Sequence, residues 1–266
     1  MLPHMRVIAA AASSWTTSIV AAALVAGVPG VASIVGPALG HPLAAQQAPA
    51  RTPFPGPAPA PAPVERLGPD LLRVGNVRID TAKKELSVAG VVNNVQVLEF
   101  LANTKGGFKA YESALELDTN AVNFNVACLL IGLDTARAVV SRFQFDPLLP
   151  QGDPVELFIE WDNAGTRRRI RAEHLIYNKV TKSTLTEGPW VYTGSAFLPQ
   201  GNRYMAETDG TVIGFMHTPS PIIENPRPLV GEYGDHLINP ELNLKAGATV
   251  QLVLRALPRA VPPPAK

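Results

Sequence analysis

Two glutamates and a tyrosine form the most suggestive chemical cluster in the sequence. Glu99 stands inside an apolar segment, Glu112 opens a second one beside Tyr111, and Gly106 and Gly107 lie between them. Burial raises the pKa of a carboxyl group and can make it a useful acid or base. If the two segments form a hairpin, the carboxylates face each other, as they do in glycoside hydrolases. The alternative to a catalytic role is a structural one. The two glutamates would then lie on the outer face of two strands, or one of them would accept hydrogen bonds from buried backbone N–H groups.

The histidines offer a metal-binding hypothesis. Imidazole is a common Zn²⁺ ligand, but His174, His217 and His236 are widely separated in the chain. Asp235 would serve as a further ligand or would orient His236. No pair of histidines has the spacing of two ligands on one helix, and His174 lies on the apolar face of a predicted strand. The sequence therefore predicts neither metal nor cofactor, and these histidines are the candidates if a metal is bound.

Ligand binding without catalysis has its own candidates. Trp190 and Tyr192, with Trp161, would form an aromatic wall for a sugar or a peptide, although such residues more often fill the core of a sheet. Asp235 lies in a polar, glycine-containing loop at residues 231–236, which is a candidate binding loop. Ser195 is not followed by the glycine of a nucleophile elbow, so the sequence indicates no serine hydrolase of that type.

Charge and cysteine content narrow the function classes. The chain has 23 basic and 22 acidic residues, and every acidic residue lies at Glu65 or later. The folded part is therefore nearly balanced in charge and lacks the clustered cations that nucleic-acid phosphates require. The arginines at 167–169 indicate a solvated strand edge, with an anion site as the alternative. The single cysteine, Cys128, has apolar neighbours, which favours a small buried residue over a nucleophile.

The beginning of the chain predicts export. Residues 1–45 contain one strong charge, Arg6, followed by apolar segments and small residues, which is typical of a secretory signal cleaved after Ala45. The alternative is an uncleaved anchor, because residues 19–39 carry no charge and are long enough to cross a bilayer. Either way we expect a periplasmic or secreted protein, or one tethered to the outer side of the inner membrane. Contact with the membrane is expected only through an uncleaved N-terminal segment.

Three further segments complete the predicted organisation. Residues 46–65 are rich in alanine and proline, which favours an extended linker without a packed core. Residues 66–257 form a single globular domain, long enough to bury its own core. Residues 258–266 are a disordered, proline-rich tail. The linker is interpreted as a stalk that separates the domain from a membrane or wall.

Strand-like alternation dominates the predicted domain. Residues 155–161 alternate apolar and polar side chains and lead through a tight link into residues 167–177, which predicts a hairpin. Asp209 and Gly210 predict a second hairpin through a two-residue turn.

One segment, residues 121–131, is apolar on nearly all sides instead, which is typical of a buried helix. The predicted fold class is α+β: a mostly antiparallel sheet or sandwich with one buried central helix at about residues 119–132.

A series of short segments, in this order along the chain, resembles the YdjY-type domain of bacterial exported proteins. They are residues 75–80 (GNVRID), 90–93 (GVVN), 99–101 (EFL), 106–107 (GG), 111–113 (YES), 127–133 (ACLLIGL), 152–155 (GDPV), 160–161 (EW) and 190–195 (WVYTGS). The resemblance implies export and a compact domain, and it supplies no catalytic residues.

These observations favour a non-enzymatic binding or interaction module of the cell envelope, carried on a proline-rich stalk, that binds an unknown protein or a cell-wall component. The alternative is a periplasmic hydrolase or metal-dependent enzyme that uses Glu99 and Glu112 or the scattered histidines.

Overall fold

A computed structural model describes residues 58–198 and 203–259. The predicted leader, residues 1–45, lies outside the described residues, as do most of the predicted linker and residues 260–266 of the predicted tail. Within the described residues, no helix has the length and apolar composition needed to cross a bilayer.

Strands account for most of the regular secondary structure among the described residues. In chain order they are β1 (Val64–Arg66), β2 (Leu71–Val74), β3 (Val77–Asp80), β4 (Glu85–Val92), β5 (Phe100–Thr104), β6 (Ser113–Leu117), β7 (Asp153–Asn163), β8 (Thr166–Arg171), β9 (Ile176–Asn178), β10 (Ser183–Thr184), β11 (Trp190–Tyr192), β12 (Phe197–Leu198), β13 (Arg203–Tyr204), β14 (Thr211–Gly214), β15 (Ile223–Glu224), β16 (His236–Ile238) and β17 (Thr249–Ala256). The α-helices are α1 (Ala121–Leu130) and α2 (Met205–Asp209), and short 3₁₀ helices cover Phe108–Glu112, Ala172–Leu175 and Pro240–Leu242.

Eight of these strands close into a barrel. Their order is β4, β17, β7, β11, β15, β14, β5 and β6, and β6 pairs back with β4. Neighbours run antiparallel except for β14 with β15 and β5 with β6, which are parallel. Strands β1, β2 and β3 extend the sheet outward from β4, and β8 extends it from β7. A separate three-stranded sheet has the order β10, β9, β16.

Alternation along the long strands supplies the core. In β7, Val155, Leu157 and Ile159 are buried and alternate with half-buried residues. The predicted hairpin is confirmed for β7 and β8, which pair antiparallel from Asn163 and Thr166 onward. The alternation ends earlier than predicted, because a 3₁₀ helix follows β8 directly.

Strand β4 is the position at which the sheet closes. Its first half pairs with β3 and its last three residues pair with β6, so the same edge of β4 serves two neighbours. Gly90 lies opposite Leu117 in the second pairing. A Cβ atom at Gly90 would lie 2.6 Å from the carbonyl oxygen of Glu116. The two strands can approach this closely because glycine has no side chain.

The predicted fold class, an α+β sheet or sandwich around a buried central helix at residues 119–132, is wrong. The protein is mostly β, helix makes up 14 % of the described residues, and the main sheet closes on itself. A helix does occupy this segment, but α1 packs beside β2 and β3. Its outer side chain Leu129 is 48 % exposed. Apolar composition alone did not reveal that one side of this helix faces solvent.

Helix α1 is fixed at its start by two side chains. The Asn120 side chain accepts a hydrogen bond from the backbone N–H of Asn123 at 2.8 Å. Glu207 of α2 accepts from the N–H of Ala121 at 2.8 Å. A carboxylate is favourable there because the N-terminal end of a helix carries unpaired N–H groups and positive potential. Cys128 in this helix is buried, and burial raises the pKa of its thiol.

The second predicted hairpin is also wrong. The residues before Asp209 form α2 rather than a strand, and Gly210 ends that helix with φ at 70°. The same left-handed conformation suits a hairpin turn and the end of a helix, so the Asp–Gly pair alone did not distinguish them.

Replacing Gly90 tests the closure of the barrel. We expect Gly90→Ala to lower the free energy of unfolding by about 1–3 kcal/mol, because the added methyl group overpacks the β4–β6 contact. Gly68→Ala is the matched control, since its Cβ would meet its nearest neighbour, Leu71, at 3.7 Å. Urea denaturation of the full chain measures both. Equal denaturation midpoints for the two variants would contradict the closure argument.

Candidate functional site

Glu99 and Glu112 lie side by side at the start of two parallel strands. Glu99 immediately precedes β5, and Glu112 ends the 3₁₀ helix that precedes β6. Because Phe100 pairs with Ser113, the preceding residues are neighbours too, and the Glu99 N–H donates to the Glu112 carbonyl oxygen at 2.9 Å. Both glutamates are buried, with 2 % and 3 % of their surfaces exposed. The structure thus brings them together across a parallel pair rather than the predicted hairpin.

A lysine that sequence reasoning missed joins this pair. Lys109 Nζ lies 2.5 Å from Glu112 Oε1 and 3.2 Å from the hydroxyl of Tyr111. Burial lowers the pKa of Lys109, but the hydrogen bond and the charge of Glu112 outweigh it and raise the pKa above its ordinary value. Lys109 and Glu112 therefore form an ion pair, and Tyr111 is partly exposed beside it.

Glu99 has a different environment from Glu112. The Gln144 side-chain amide donates to both of its carboxylate oxygens, at 3.3 and 3.2 Å. Burial and the negative charge of Glu112 raise the pKa of Glu99, while Lys109 and Gln144 act in the opposite direction. The pair thus has one carboxyl group shifted toward the protonated form and one carboxylate held by a cation. Such a division suits acid–base chemistry.

Gln144 belongs to a covering segment, residues 139–148, that contacts Glu99 through Gln144 and Glu224 through Ser141. Its Ser141 hydroxyl donates to Glu224 Oε2 at 3.1 Å. Within the segment, Arg142 binds both carboxylate oxygens of Asp146 at 2.7 Å.

Glu224, on β15, is fully buried beneath the covering segment. Burial raises the pKa of its carboxyl group to about 8, although hydrogen bonds from Ser141 and the Thr218 backbone act in the opposite direction. Glu224 is therefore protonated in the folded protein at neutral pH.

A cavity of about 140 Å³ opens between the three-stranded sheet and the segment that follows β15. Its walls combine hydroxyl, amide and apolar groups with one guanidinium. They include Asn178, Ser183, Thr184, Phe215, Arg227 and His236. This cavity does not include Glu99 or Glu112.

His236 connects the cavity wall to the core. It is 1 % exposed, and its Nδ1 has no hydrogen-bond partner among the described residues. Its Nε2 lies 3.4 Å from the Asn178 side-chain amide. Burial lowers the pKa of His236, with the charge of Asp235 and the Val230 carbonyl acting in the opposite direction. The net effect favours the neutral form of the imidazole.

The other ligand-binding candidates are placed as follows. Trp190 and Tyr192 are fully buried and fill the core, and the Tyr192 hydroxyl donates to Asn125 Oδ1 at 2.7 Å. Asp235 accepts from the Glu232 N–H at 2.8 Å and so braces its own loop.

The three histidines do not converge. His174 Nε2 lies 2.6 Å from Glu187 Oε1 near the surface. The nitrogens of His217 lie 3.2 and 3.1 Å from the carbonyl oxygens of Asp146 and Asn225. Across residues 58–198 and 203–259, no three His, Cys, Asp or Glu side chains are grouped so that they could hold a metal ion.

Lys109, Gln144, Glu224 and Arg227 were not singled out from the sequence. Glu224 left a usable signal, because it follows two isoleucines in a short apolar segment. Gln144 and Arg227 left none, since each reaches its partners only after the barrel has brought distant segments together.

The fold and these sites define a closed β-barrel domain. It has a buried glutamate pair at the start of β5 and β6, and a small cavity beside the three-stranded sheet. The chain belongs to the YdjY domain family, whose family model matches residues 77–254, from the start of β3 into β17. The resemblance seen in the sequence is thereby confirmed. No curated protein and no solved structure matches the chain.

The buried carboxyl group of Glu224 predicts a pH-dependent stability. In the unfolded chain this group ionises near pH 4.5, and in the folded chain near pH 8. The folded state therefore holds the extra proton between these values, so the contribution of Glu224 to stability falls as pH rises through this window and levels off above it. The slope is at most about 1.4 kcal/mol per pH unit.

We expect Glu224→Gln to remove this slope, because glutamine does not titrate. Urea denaturation at pH 5, 6.5, 8 and 9 measures the difference between wild type and variant. The exposed residue Glu232 provides the matched control, and Glu232→Gln should follow the wild-type curve. A constant offset between Glu224→Gln and wild type across all four pH values would contradict the assignment.

Proposed function

We propose that this protein is an exported, non-enzymatic binding module that takes a small polar molecule, or the tip of a larger one, into the cavity beside His236. The observation that carries this proposal is a cavity whose wall includes His236, a buried histidine whose Nδ1 has no hydrogen-bond partner among the described residues. A buried polar group without a hydrogen bond costs about 1–3 kcal/mol. A bound molecule with an acceptor atom would supply the missing bond.

The size and lining of the cavity support binding. A cavity of about 150 Å³ accommodates a molecule of the size of benzene, and this one measures about 140 Å³. Hydroxyl groups of Thr181, Ser183 and Thr184 would orient a ligand, while apolar neighbours would contact its carbon atoms. A few fixed polar groups in an otherwise apolar wall are the usual composition of small-molecule sites.

The location of the module rests on the sequence. The charge-poor leader and the proline-rich linker support export and display on a stalk, in the periplasm, outside the cell or tethered to the inner membrane. A cell-wall component or a partner protein that presents a small polar group would then be within reach.

Binding is tested with the purified full chain and small probes: glycerol, propanamide and propanoate. We expect at least one to bind with a dissociation constant on the order of 1 mM, since so few atoms gain only a few kcal/mol. Ser183→Trp should abolish binding, because the indole fills the mouth of the cavity.

Val180→Trp is the matched control for this test. Val180 lies in the turn between β9 and β10, is 66 % exposed and is not part of the cavity wall, so binding should be retained. Titration followed by NMR chemical shifts measures all three proteins. Binding that survives in Ser183→Trp, or the lack of binding by every probe, would overturn the proposal.

Hydrolysis by Glu99 and Glu112 is the second candidate function. It is favoured by their proximity and by the division between a carboxyl group with a raised pKa and a carboxylate paired with Lys109. Their burial, at 2 % and 3 % exposure, argues against it, because a substrate would need the covering segment or Tyr111 to move.

Glutamine variants test this candidate on a panel of chromogenic glycosides, esters and peptides. Catalysis by the pair requires turnover by wild type and a loss of about a hundredfold or more in Glu99→Gln and Glu112→Gln. Glu65→Gln, at an exposed ion pair with Arg73, should retain full activity. If wild type turns over none of the panel, or if the control loses as much activity as the two variants, hydrolysis by Glu99 and Glu112 is ruled out.

A further inference from the structure

We propose that the ligand of the cavity is a small organic carboxylate, whose anionic group is bound by Arg227 and His236. This inference rests on the binding function proposed above and narrows it to one class of molecule.

Arg227 brings a positive charge to the cavity wall without a carboxylate to balance it. Its guanidinium donates to the Asn225 side-chain oxygen at 3.2 Å, and to the backbone oxygens of Glu187 at 3.0 Å and Pro189 at 3.5 Å. These acceptors are all neutral, and no carboxylate among the described residues forms an ion pair with Arg227. Guanidinium groups bind carboxylates in a planar, two-bond geometry, so a carboxylate is the natural counterpart.

The acidic groups near the cavity have other partners. The Glu187 carboxylate faces His174 and Arg171. Asp235, next to His236 in the chain, accepts the hydrogen bond from Glu232 that braces its loop. The cavity wall contains no aspartate or glutamate. An anion in the cavity would therefore meet one cation and no lining carboxylate.

Asn178 fixes which nitrogen of His236 carries the hydrogen. The Asn178 side-chain oxygen accepts from the N–H groups of Val180 and Thr181, at 2.8 and 3.0 Å, which settles the orientation of its amide. Its nitrogen must then donate to Val230 O, at 3.1 Å, and to His236 Nε2, at 3.4 Å. A neutral imidazole that accepts at Nε2 carries its hydrogen on Nδ1. His236 therefore presents an unpaired donor, as a carboxylate requires.

The remaining walls restrict the rest of the ligand. Leu185, Leu229 and Phe215 provide apolar contact, and Thr184 and Ser183 provide hydroxyl groups. With a volume of about 140 Å³, the cavity fits a carboxylate that bears a short aliphatic or hydroxylated chain. The same group at the tip of a larger molecule would also fit.

Propanoate and propanamide provide the decisive pair of probes, because they have nearly the same shape and differ in charge. In NMR titrations of the full chain, we expect propanoate to bind at least tenfold more tightly than propanamide. Addition of propanoate should also shift the ¹⁵N resonance of His236 Nδ1. In Arg227→Gln the affinity for propanoate should fall about tenfold or more, whereas that for propanamide should change less than about threefold.

Arg168→Gln is the control for a general loss of positive charge, since Arg168 lies on the exposed edge strand β8. It should bind propanoate as wild type does. The ¹H–¹⁵N spectrum of each variant reports whether it is folded, and the His236 resonance in wild type provides a measurement that needs no substitution.

The outcomes separate the two proposals. Equal affinity for both probes, or an unchanged affinity for propanoate in folded Arg227→Gln, would overturn the carboxylate assignment while the binding function stands. Failure of glycerol, propanamide and propanoate alike would overturn both. Propanoate that binds without moving the His236 resonance would remove His236 from the site and overturn the two-residue assignment.

Discussion

The contact between β4 and β6 at Gly90 is the constraint on which the rest of the structure depends. By pairing with β3 along one half and with β6 along the other, β4 converts an open sheet into a closed barrel. Closure removes the edges that the barrel strands would otherwise expose. Strand β6 pairs in addition with the parallel strand β5, so that the residues preceding both strands, Glu99 and Glu112, are neighbours. The carboxylate pair is thus a product of the topology.

Local pattern predicted the parts of the fold that depend on local physics. The alternation in β7 was visible because this strand has one face toward the core and one toward solvent or a covering element. The position of α1 was also visible, because its apolar run is longer than a strand. What the pattern could not provide was the partner of each strand. Closure joins residues 90–92 to residues 115–117, and the cavity combines residues 178–186 with residues 215, 225–230 and 236.

For the candidate sites, too, the sequence predicted what depends on local pattern and missed what depends on tertiary contacts. An isolated glutamate among apolar residues indicated burial at Glu99, and the structure places it in the interior beside Glu112. Lys109 was overlooked because a lysine in a polar segment is ordinarily a solvated side chain, and only the 3₁₀ helix turns it toward Glu112. The aromatic residues Trp190 and Tyr192 were candidates for a ligand-binding wall, but they lie in the core. Their strand, β11, lies between β7 and β15 in the barrel wall.

The last strand among the described residues, β17, lies between two other strands of the barrel wall. Strand β17 pairs with β7 on one side and β4 on the other, so the wall has a gap until the ribosome has made residue 256. Contacts between such distant segments form slowly, because the intervening chain must first be ordered. The barrel of a nascent polypeptide is therefore completed only after β17 has been synthesised. If the protein is exported as proposed, this order of strands keeps the barrel open until β17 is available.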